Sequence, residues 1–284
     1  FFNLMKPRVM SLVLFTSMVG LLIAPVQISF LSASVSLFAI ALGAGAAGAL
    51  NMWYESDLDA LMSRTCLRPI PTGKVKKDQA LWFGLFLSLV SIAILYKSSN
   101  ALSALLLTIT IGFYFFIYTI WLKPRTSQNI VIGGAAGALP PVIGWTVATN
   151  TISIEPLILF LIIFIWTPSH FWALSLYKSG DYKKAKIPML PVTDGVEKTK
   201  INILVYSLLL LPSVVSLYFF ENYSVQFLFT STILTSYYIY LSYKLFRSYN
   251  NKTSNIIARK IFVYSIFYLF IIFVLILFDS FWRV

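Results

Sequence analysis

Nine consecutive residues, Asn51-Met52-Trp53-Tyr54-Glu55-Ser56-Asp57-Leu58-Asp59, carry three acids and an amide and are the part of the chain best equipped to do chemistry. A helix turns about 100° per residue, so Asn51, Glu55 and Asp59 fall within about 80° of one another and form one stripe of oxygen donors. Magnesium takes carboxylate oxygens, keeps several waters and is usually completed by substrate phosphates, so such a stripe suits a magnesium-diphosphate. Asp57 lies off this face and joins it only if the helix ends early. The same residues also read as a solvated helix end whose acids balance Arg64, Arg68, Lys74, Lys76 and Lys77, and spacing alone leaves both readings open.

Arg64 and Arg68 stand four residues apart, a register that can aim two guanidinium forks the same way and grip phosphate oxygens bidentately. Further along, Lys178, Lys183, Lys184 and Lys186 surround the single acid Asp181, which suits an anionic head group, whether of a substrate or of an acidic lipid. His170, the one histidine, stands just ahead of those lysines. A neutral imidazole is a good axial ligand for haem iron; a histidine hydrogen-bonded inside a helix bundle is the other reading. Trp53, Tyr54, Tyr114, Tyr118, Trp166, Trp172 and Tyr177 could turn ring faces to a cation, or pack and anchor at the membrane interface.

These residues need elements to hold them, and composition restricts what the elements are. Of 284 residues 58% are hydrophobic and only 11% charged, with a mean hydropathy of +0.82. Soluble folds carry roughly 25% charged residues, so a soluble domain is excluded. Apolar runs long enough to cross a bilayer centre near residues 19, 42, 88, 111, 139, 165, 210, 235 and 270, which predicts an all-α polytopic membrane protein, a bundle of about nine transmembrane helices forming a single domain over 1–284. With the N-terminus cytoplasmic, every one of the 22 Lys and Arg except Lys97 and Arg283 faces the cytoplasm, and the C-terminus lies outside. The +12 formal charge is thereby assigned to loops and not to a nucleic-acid partner. One cysteine, Cys66, excludes an internal disulfide, and one histidine excludes a multi-histidine metal site. The chain opens Phe1-Phe2 without an initiator Met, so a short preceding piece is expected.

Two cytoplasmic connections, Glu55 to Lys77 and Lys178 to Lys200, mix acids with bases and run into Pro69, Pro71, Thr72, Gly73 and Pro188, Pro191, Thr193, Gly195. The string GAAGAL occurs at 45–50 and again at 134–139, which reads as small residues for close helix packing or as duplication. Pro140 and Pro141 should kink or break the fifth span. Two functional loops on an apolar cage, one with metal ligands and both with cations, suggest an enzyme that ionises an allylic lipid diphosphate: magnesium and Arg/Lys stabilise the leaving group, and aromatic faces stabilise the carbocation. A carrier of anionic solutes is the rival class, but carriers hold their site near the midplane, where this sequence has few ionisable residues.

The run from Asn51 to Asp59, followed by Arg64-Thr65-Cys66-Leu67-Arg68-Pro69, resembles the first aspartate-rich motif of the UbiA superfamily of intramembrane prenyltransferases, usually written Asn-Asp-x-x-Asp-x-x-x-Asp. Met52 and Glu55 replace two of its aspartates and Asp57 adds an acid, a form similar to the protohaem IX farnesyltransferases, or haem O synthases. The stretch from Trp166 through His170, Tyr177, Lys178, Asp181 and Lys184 to Pro191 also resembles that branch, with a histidine and bases where quinone-type members carry a second set of aspartates. The opening at Asn3 to Arg8 and the stretch Pro140 to Trp145 fit as well. The resemblance implies a Mg2+-assisted transfer of the farnesyl group of farnesyl diphosphate to a vinyl carbon of haem B, with water added, giving haem O. It assigns Asn51, Glu55 and Asp59, with Asp57, to the metal-diphosphate. Arg64, Arg68, Lys178, Lys183 and Lys184 fall to the diphosphate, Tyr54 and Tyr177 to the allylic cation, and His170 to haem. One magnesium position is expected, in a bacterial cytoplasmic membrane, with product handed on to a haem A synthase or to oxidase assembly. A quinone-type aromatic prenyltransferase of the same superfamily is the alternative.

Overall fold

The computed structural model of the chain describes residues 1–282, so Arg283, assigned above to the outer side, lies outside the described residues. Every regular element among them is helical: α1 Pro7–Leu22, α2 Phe30–Leu61, α3 Lys77–Ser98, α4 Ala101–Gly112, α5 Asn129–Ala138, α6 Pro140–Thr149, α7 Ile154–Tyr177, α8 Ser179–Lys184, α9 Leu190–Thr193, α10 Val196–Glu221, α11 Val225–Phe246 and α12 Asn251–Trp282. A short 3-10 turn, Phe2–Met5, precedes α1, and α4 continues into a π-wound segment, Phe113–Leu122. Seven of the described helical segments are long and apolar enough to cross a membrane, against the expected nine or so. The two that differ have physical reasons: α1 has only 16 residues, and α11, though 22 residues long, is diluted by Thr230, Ser231, Thr232, Thr235, Ser236 and Ser242.

Side chains such as Phe30, Leu31, Trp82, Phe86, Phe229 and Phe267 stand exposed on these helices. Water would not tolerate so much apolar surface, whereas lipid matches it. The chain divides into two compact units, one comprising Phe1–Pro124 with Leu139–Pro156, the other Arg125–Ala138 with the residues from Leu157 on. The expected break at Pro140 and Pro141 falls between α5 and α6, at Leu139, where the chain leaves one unit for the other.

The core of the first unit is formed by Leu21, Ala39, Ile40, Leu50, Leu107, Phe115, Ile143 and Val147 with their neighbours. Within it α1 and α6 approach backbone to backbone. A Cβ on Gly144 would stand 1.9 Å from the Ser17 carbonyl oxygen, and one on Gly20 2.1 Å from that of Pro141, so only glycine fits either position. That contact fixes α1, and with it Lys6 at its N-cap. In the second unit the start of α11 is clamped to the end of α12, because Asp279 accepts hydrogen bonds from the Ser224 backbone N–H and hydroxyl.

Candidate active site

α2 runs unbroken to Leu61, so Asn51, Glu55 and Asp59 do lie on one stripe, and all three are buried. Each is held by a cation. Lys6 Nζ donates to Asn51 Oδ1 at 2.5 Å. Lys123 Nζ donates to Glu55 Oε1 at 2.5 Å. Arg68 Nη1 donates to both oxygens of Asp59, at 2.8 and 2.7 Å. The amide of Asn51 is completed by Nδ2 donating to Thr119 Oγ1 at 3.0 Å, and Thr119 in turn donates to the Tyr114 carbonyl at 2.8 Å.

Local structure explains how three cations from distant points reach one stripe. Leu4, fully buried with Ala49, Met52, Val75 and Ala80, pins the opening turn against α2. Lys6 follows in the left-handed conformation at φ 52°, before Pro7. A lysine with positive φ is strained, and such strain persists where surroundings over-determine it, often at functional sites. The π winding after Gly112 adds a residue per turn and brings Thr119 and Lys123 to α2; the Lys123 N–H bonds the Tyr118 carbonyl five residues back. Arg68 is placed by the turn after α2, where the Thr65 hydroxyl donates to the Asp59 carbonyl at 2.9 Å. Burial first, and then the neighbouring charge of Arg68, pull the Lys6 ammonium down to about 7; Glu55 opposes this, Lys123 adds to it, and Asp59 opposes it least.

The remaining sequence candidates are distributed differently. Asp57 is exposed and pairs with Lys77 at 3.0 Å, outside the stripe because α2 does not end early. Arg64 is exposed in an irregular turn, so the helical register that would align it with Arg68 is not formed. Tyr54 is 39% exposed, on the outside of α2, its ring 6.2 Å from Trp53. Met52, where the motif has an acid, faces Leu4 and Val75, a site in which a carboxylate would be buried in an apolar cluster. By contrast the rings of Tyr114 and Tyr118 pack 5.3 Å apart at a tilt of 36°, with Lys123 Nζ 5.9 Å from the Tyr118 ring centre.

In the second unit His170 is buried between the rings of Trp166 and Phe262, at 4.3 and 4.7 Å. Its Nδ1 lies 2.6 Å from Ser265 Oγ, whose own proton goes to the Phe262 carbonyl at 2.7 Å. With the Ser265 proton on the Phe262 carbonyl, Ser265 would accept from His170, which corresponds to the tautomer with its proton on Nδ1 and leaves the Nε2 lone pair directed along the ring edge. Tyr177 meets Phe262 edge-on at 6.0 Å. Lys178 caps α8, and Lys183 and Lys184 are exposed in its last turn.

The sequence reading missed Lys6, Thr119 and Lys123 as members of the cluster. Lys123 had counted only as topological charge, and Lys6 only as that and as part of the Asn3 to Arg8 stretch; the signal they share is the tripeptide Lys-Pro-Arg, at 6–8 and again at 123–125, at the edge of an apolar span. The donor set is all oxygen, which fits Mg2+. Among the described residues no three of His, Cys, Asp or Glu gather at one point, so any ion here rests on two carboxylates, the Asn51 amide and oxygens supplied by water or substrate.

Helices of span length, an apolar outer surface and a buried ionic cluster at the end of one span define an integral membrane enzyme of the all-helical kind. The UbiA prenyltransferase family pattern matches residues 13–278. A chain from Pelagibacter ubique named protoheme IX farnesyltransferase is 63% identical over 279 residues, covering 98% of this chain and 92% of that one. A chain of the same name from Ehrlichia ruminantium is 52% identical, covering 99% and 94%. The chain belongs to the UbiA prenyltransferase family and, within it, to the protohaem IX farnesyltransferases. Solved structures share the fold at low identity. One from work on digeranylgeranylglyceryl phosphate synthase has a TM-score of 0.81 at 17% identity, covering 98% of this chain and 96% of that one. A UbiA homolog from Archaeoglobus fulgidus bound to DMAPP and Mg2+ has a TM-score of 0.70 at 16% identity, covering 95% and 98%.

Proposed function

We propose that the chain transfers the farnesyl group of farnesyl diphosphate to a vinyl group of haem B, with water completing the addition, to give haem O. The observation that carries this reading is the buried cluster in which Asn51, Glu55 and Asp59 meet Lys6, Arg68 and Lys123. In this reading the cations pass from the carboxylates to the diphosphate when it binds, and hold it as the bond between farnesyl C1 and oxygen breaks. Arg64, with Lys178, Lys183 and Lys184 of the second loop, adds to the diphosphate contacts. When bound, Mg2+ supplies charge neutralisation at the departing diphosphate, held by Asn51, Glu55 and Asp59. The allylic cation is stabilised by ring faces, for which Tyr114 and Tyr118 beside Lys123 are better candidates than the outward Tyr54; Tyr177 keeps that role in the second unit.

The vinyl group then forms a carbon–carbon bond to farnesyl C1, the positive charge passes to the carbon beside the porphyrin, and water adds there with loss of a proton. His170 contacts haem through the Nε2 lone pair that its bond to Ser265 leaves available. The chemistry takes place at the cytoplasmic face of a bacterial inner membrane, with the N-terminus on that side and the product handed to a haem A synthase or to oxidase assembly.

The test is incubation of purified protein with farnesyl diphosphate, haem B and Mg2+, followed by mass analysis of the haem, with Glu55→Ala and Asp59→Ala alongside. Haem that gains a farnesyl group plus water, and loses that gain in both variants or on chelation, supports reaction and site together. Unchanged haem with prenylation of an aromatic quinone precursor instead would put the chain in the quinone-type branch.

A further inference from the structure

Asn51, Glu55 and Asp59, the three donors a metal would use, are each already covered by a cation. Both oxygens of Asp59 are taken by one guanidinium nitrogen, Glu55 Oε1 by Lys123, and Asn51 Oδ1 by Lys6. The acids are more deeply buried than the cations paired with them, with side chains 0% and 3% exposed, against 20% for Arg68 and 16% for Lys123. We infer that the ligand-free cluster is an anion receptor that admits the divalent metal only together with a diphosphate, because Lys6, Arg68 and Lys123 close the metal's donors until a diphosphate draws them away. This rests on the reading of the cluster as the diphosphate site.

Electrostatics favours that order. Arg68 and Lys123 already balance the two carboxylates and Lys6 adds a partial positive charge, so an approaching free dication meets a site with no negative charge to spare while an anion is attracted. A dication that displaced Lys123 or Arg68 would leave that cation buried without a counter-charge, the costly way to break a buried pair. A diphosphate removes the obstacle, since its oxygens receive the displaced ammonium and guanidinium groups, and Glu55 and Asp59 are then free to complete the shell of the ion that arrives with it. Arg68 reaches both Asp59 oxygens through Nη1 alone, so its guanidinium can move to a phosphate and there use the full fork that the carboxylate does not engage.

The experiment uses the full chain in lipid nanodiscs on a support, with Mn2+ in place of Mg2+ and inorganic pyrophosphate as the anion. Retained Mn2+ and retained pyrophosphate are counted at fixed free metal. The expected result is that pyrophosphate binds without metal, and that Mn2+ affinity rises about 100-fold when pyrophosphate is present, within the ~5–150-fold span of ordinary coupling between sites. By reciprocity Mn2+ raises pyrophosphate affinity by the same factor. Lys123→Met, which uncovers Glu55, should bind Mn2+ alone more tightly than the parent chain. If the parent retains Mn2+ alone as tightly as with pyrophosphate, the inference fails while the diphosphate site stands, and this comparison needs no variant. If pyrophosphate binds under neither condition, the reading of the cluster as a diphosphate site falls, and the inference with it.

Discussion

The two compact units bury their polar groups in opposite ways. In the first, Glu55 and Asp59 are ions, Glu55 satisfied by Lys123 from 68 residues away and Asp59 by Arg68 of the turn that follows α2. In the second, the polar groups around His170 are neutral: the Tyr238 hydroxyl is hydrogen-bonded to Ser169, at 2.8 Å, and to Ser265, and the Trp166 Nε1–H donates to the Ser265 carbonyl at 2.9 Å. A buried ion pair contributes little net stability, because desolvation offsets attraction, but it exchanges partners readily once another ion of the right sign arrives. A neutral network, fully satisfied, holds one geometry. The first unit is thus built to let go of its internal contacts when a charged ligand binds, and the second to keep an imidazole in one tautomer and one orientation.

The sharpest way to break this comparison is to strand one ion. Lys123→Met leaves Glu55 buried with no partner at Oε1, and removing one member of a buried pair costs about 3–5 kcal/mol. The double variant Lys123→Met with Glu55→Gln should recover most of that loss in unfolding measured in mixed detergent. A single variant as stable as the parent would show that the cluster is wetter than its burial indicates. The next effect is on turnover. Asp59→Asn keeps the shape of the side chain but removes the charge that would face a metal-diphosphate, and deleting one preorganised electrostatic contact costs about 10²–10³-fold in kcat. Haem conversion measured by mass spectrometry reads it.

Four of the six residues of that cluster were legible in the sequence, for a physical reason. Asn51, Glu55 and Asp59 are tied together by helical periodicity, which is local, and α2 had only to continue through Asp59 for the stripe to exist. Arg68 was also visible, nine residues on, although the regular register with Arg64 was not formed. Lys6 and Lys123 come from 45 and 68 residues away, and Lys123 depends on a π winding that no glycine or proline announces within Phe113–Leu122. The helical class of the fold followed from composition alone. The span count did not, because the hydroxyl residues of α11, some buried as Thr235 is against Tyr268 at 3.0 Å and some exposed as Thr230 and Ser236 are, lower its hydropathy without changing its length.

A milder effect is expected in the neutral region. Ser265→Ala removes the acceptor for His170 Nδ1–H, and an unsatisfied buried donor costs about 1–3 kcal/mol. A purely structural role would stop at stability. Loss of the tautomer lock should also alter the absorption and low-spin resonance of bound haem, while Ser265→Thr, which keeps the hydroxyl, should preserve both. A haem spectrum unchanged in Ser265→Ala but altered in His170→Ala would mean that His170 meets haem without help from its serine.

The smallest effect separates two acids two residues apart on one helix. Asp57 and Asp59 differ little in chemistry, and the sequence motif placed both with the metal. Asp57 is 86% exposed at its side chain and pairs with an exposed Lys77, whereas Asp59 is 0% exposed and held bidentately by Arg68. Exposed ion pairs are worth about 0–1 kcal/mol and weaken further with salt. Asp57→Asn should therefore leave haem conversion within about twofold of the parent, a change of less than one kcal/mol in transition-state stabilisation. Because α2 continues to Leu61, the 200° turn of roughly two helical steps carries Asp57 away from the face that Asp59 shares with Glu55. A large loss of turnover in Asp57→Asn, with Mn2+ retention in the presence of pyrophosphate lost as well, would mean that the end of α2 unwinds when ligand binds and brings a third carboxylate to the ion.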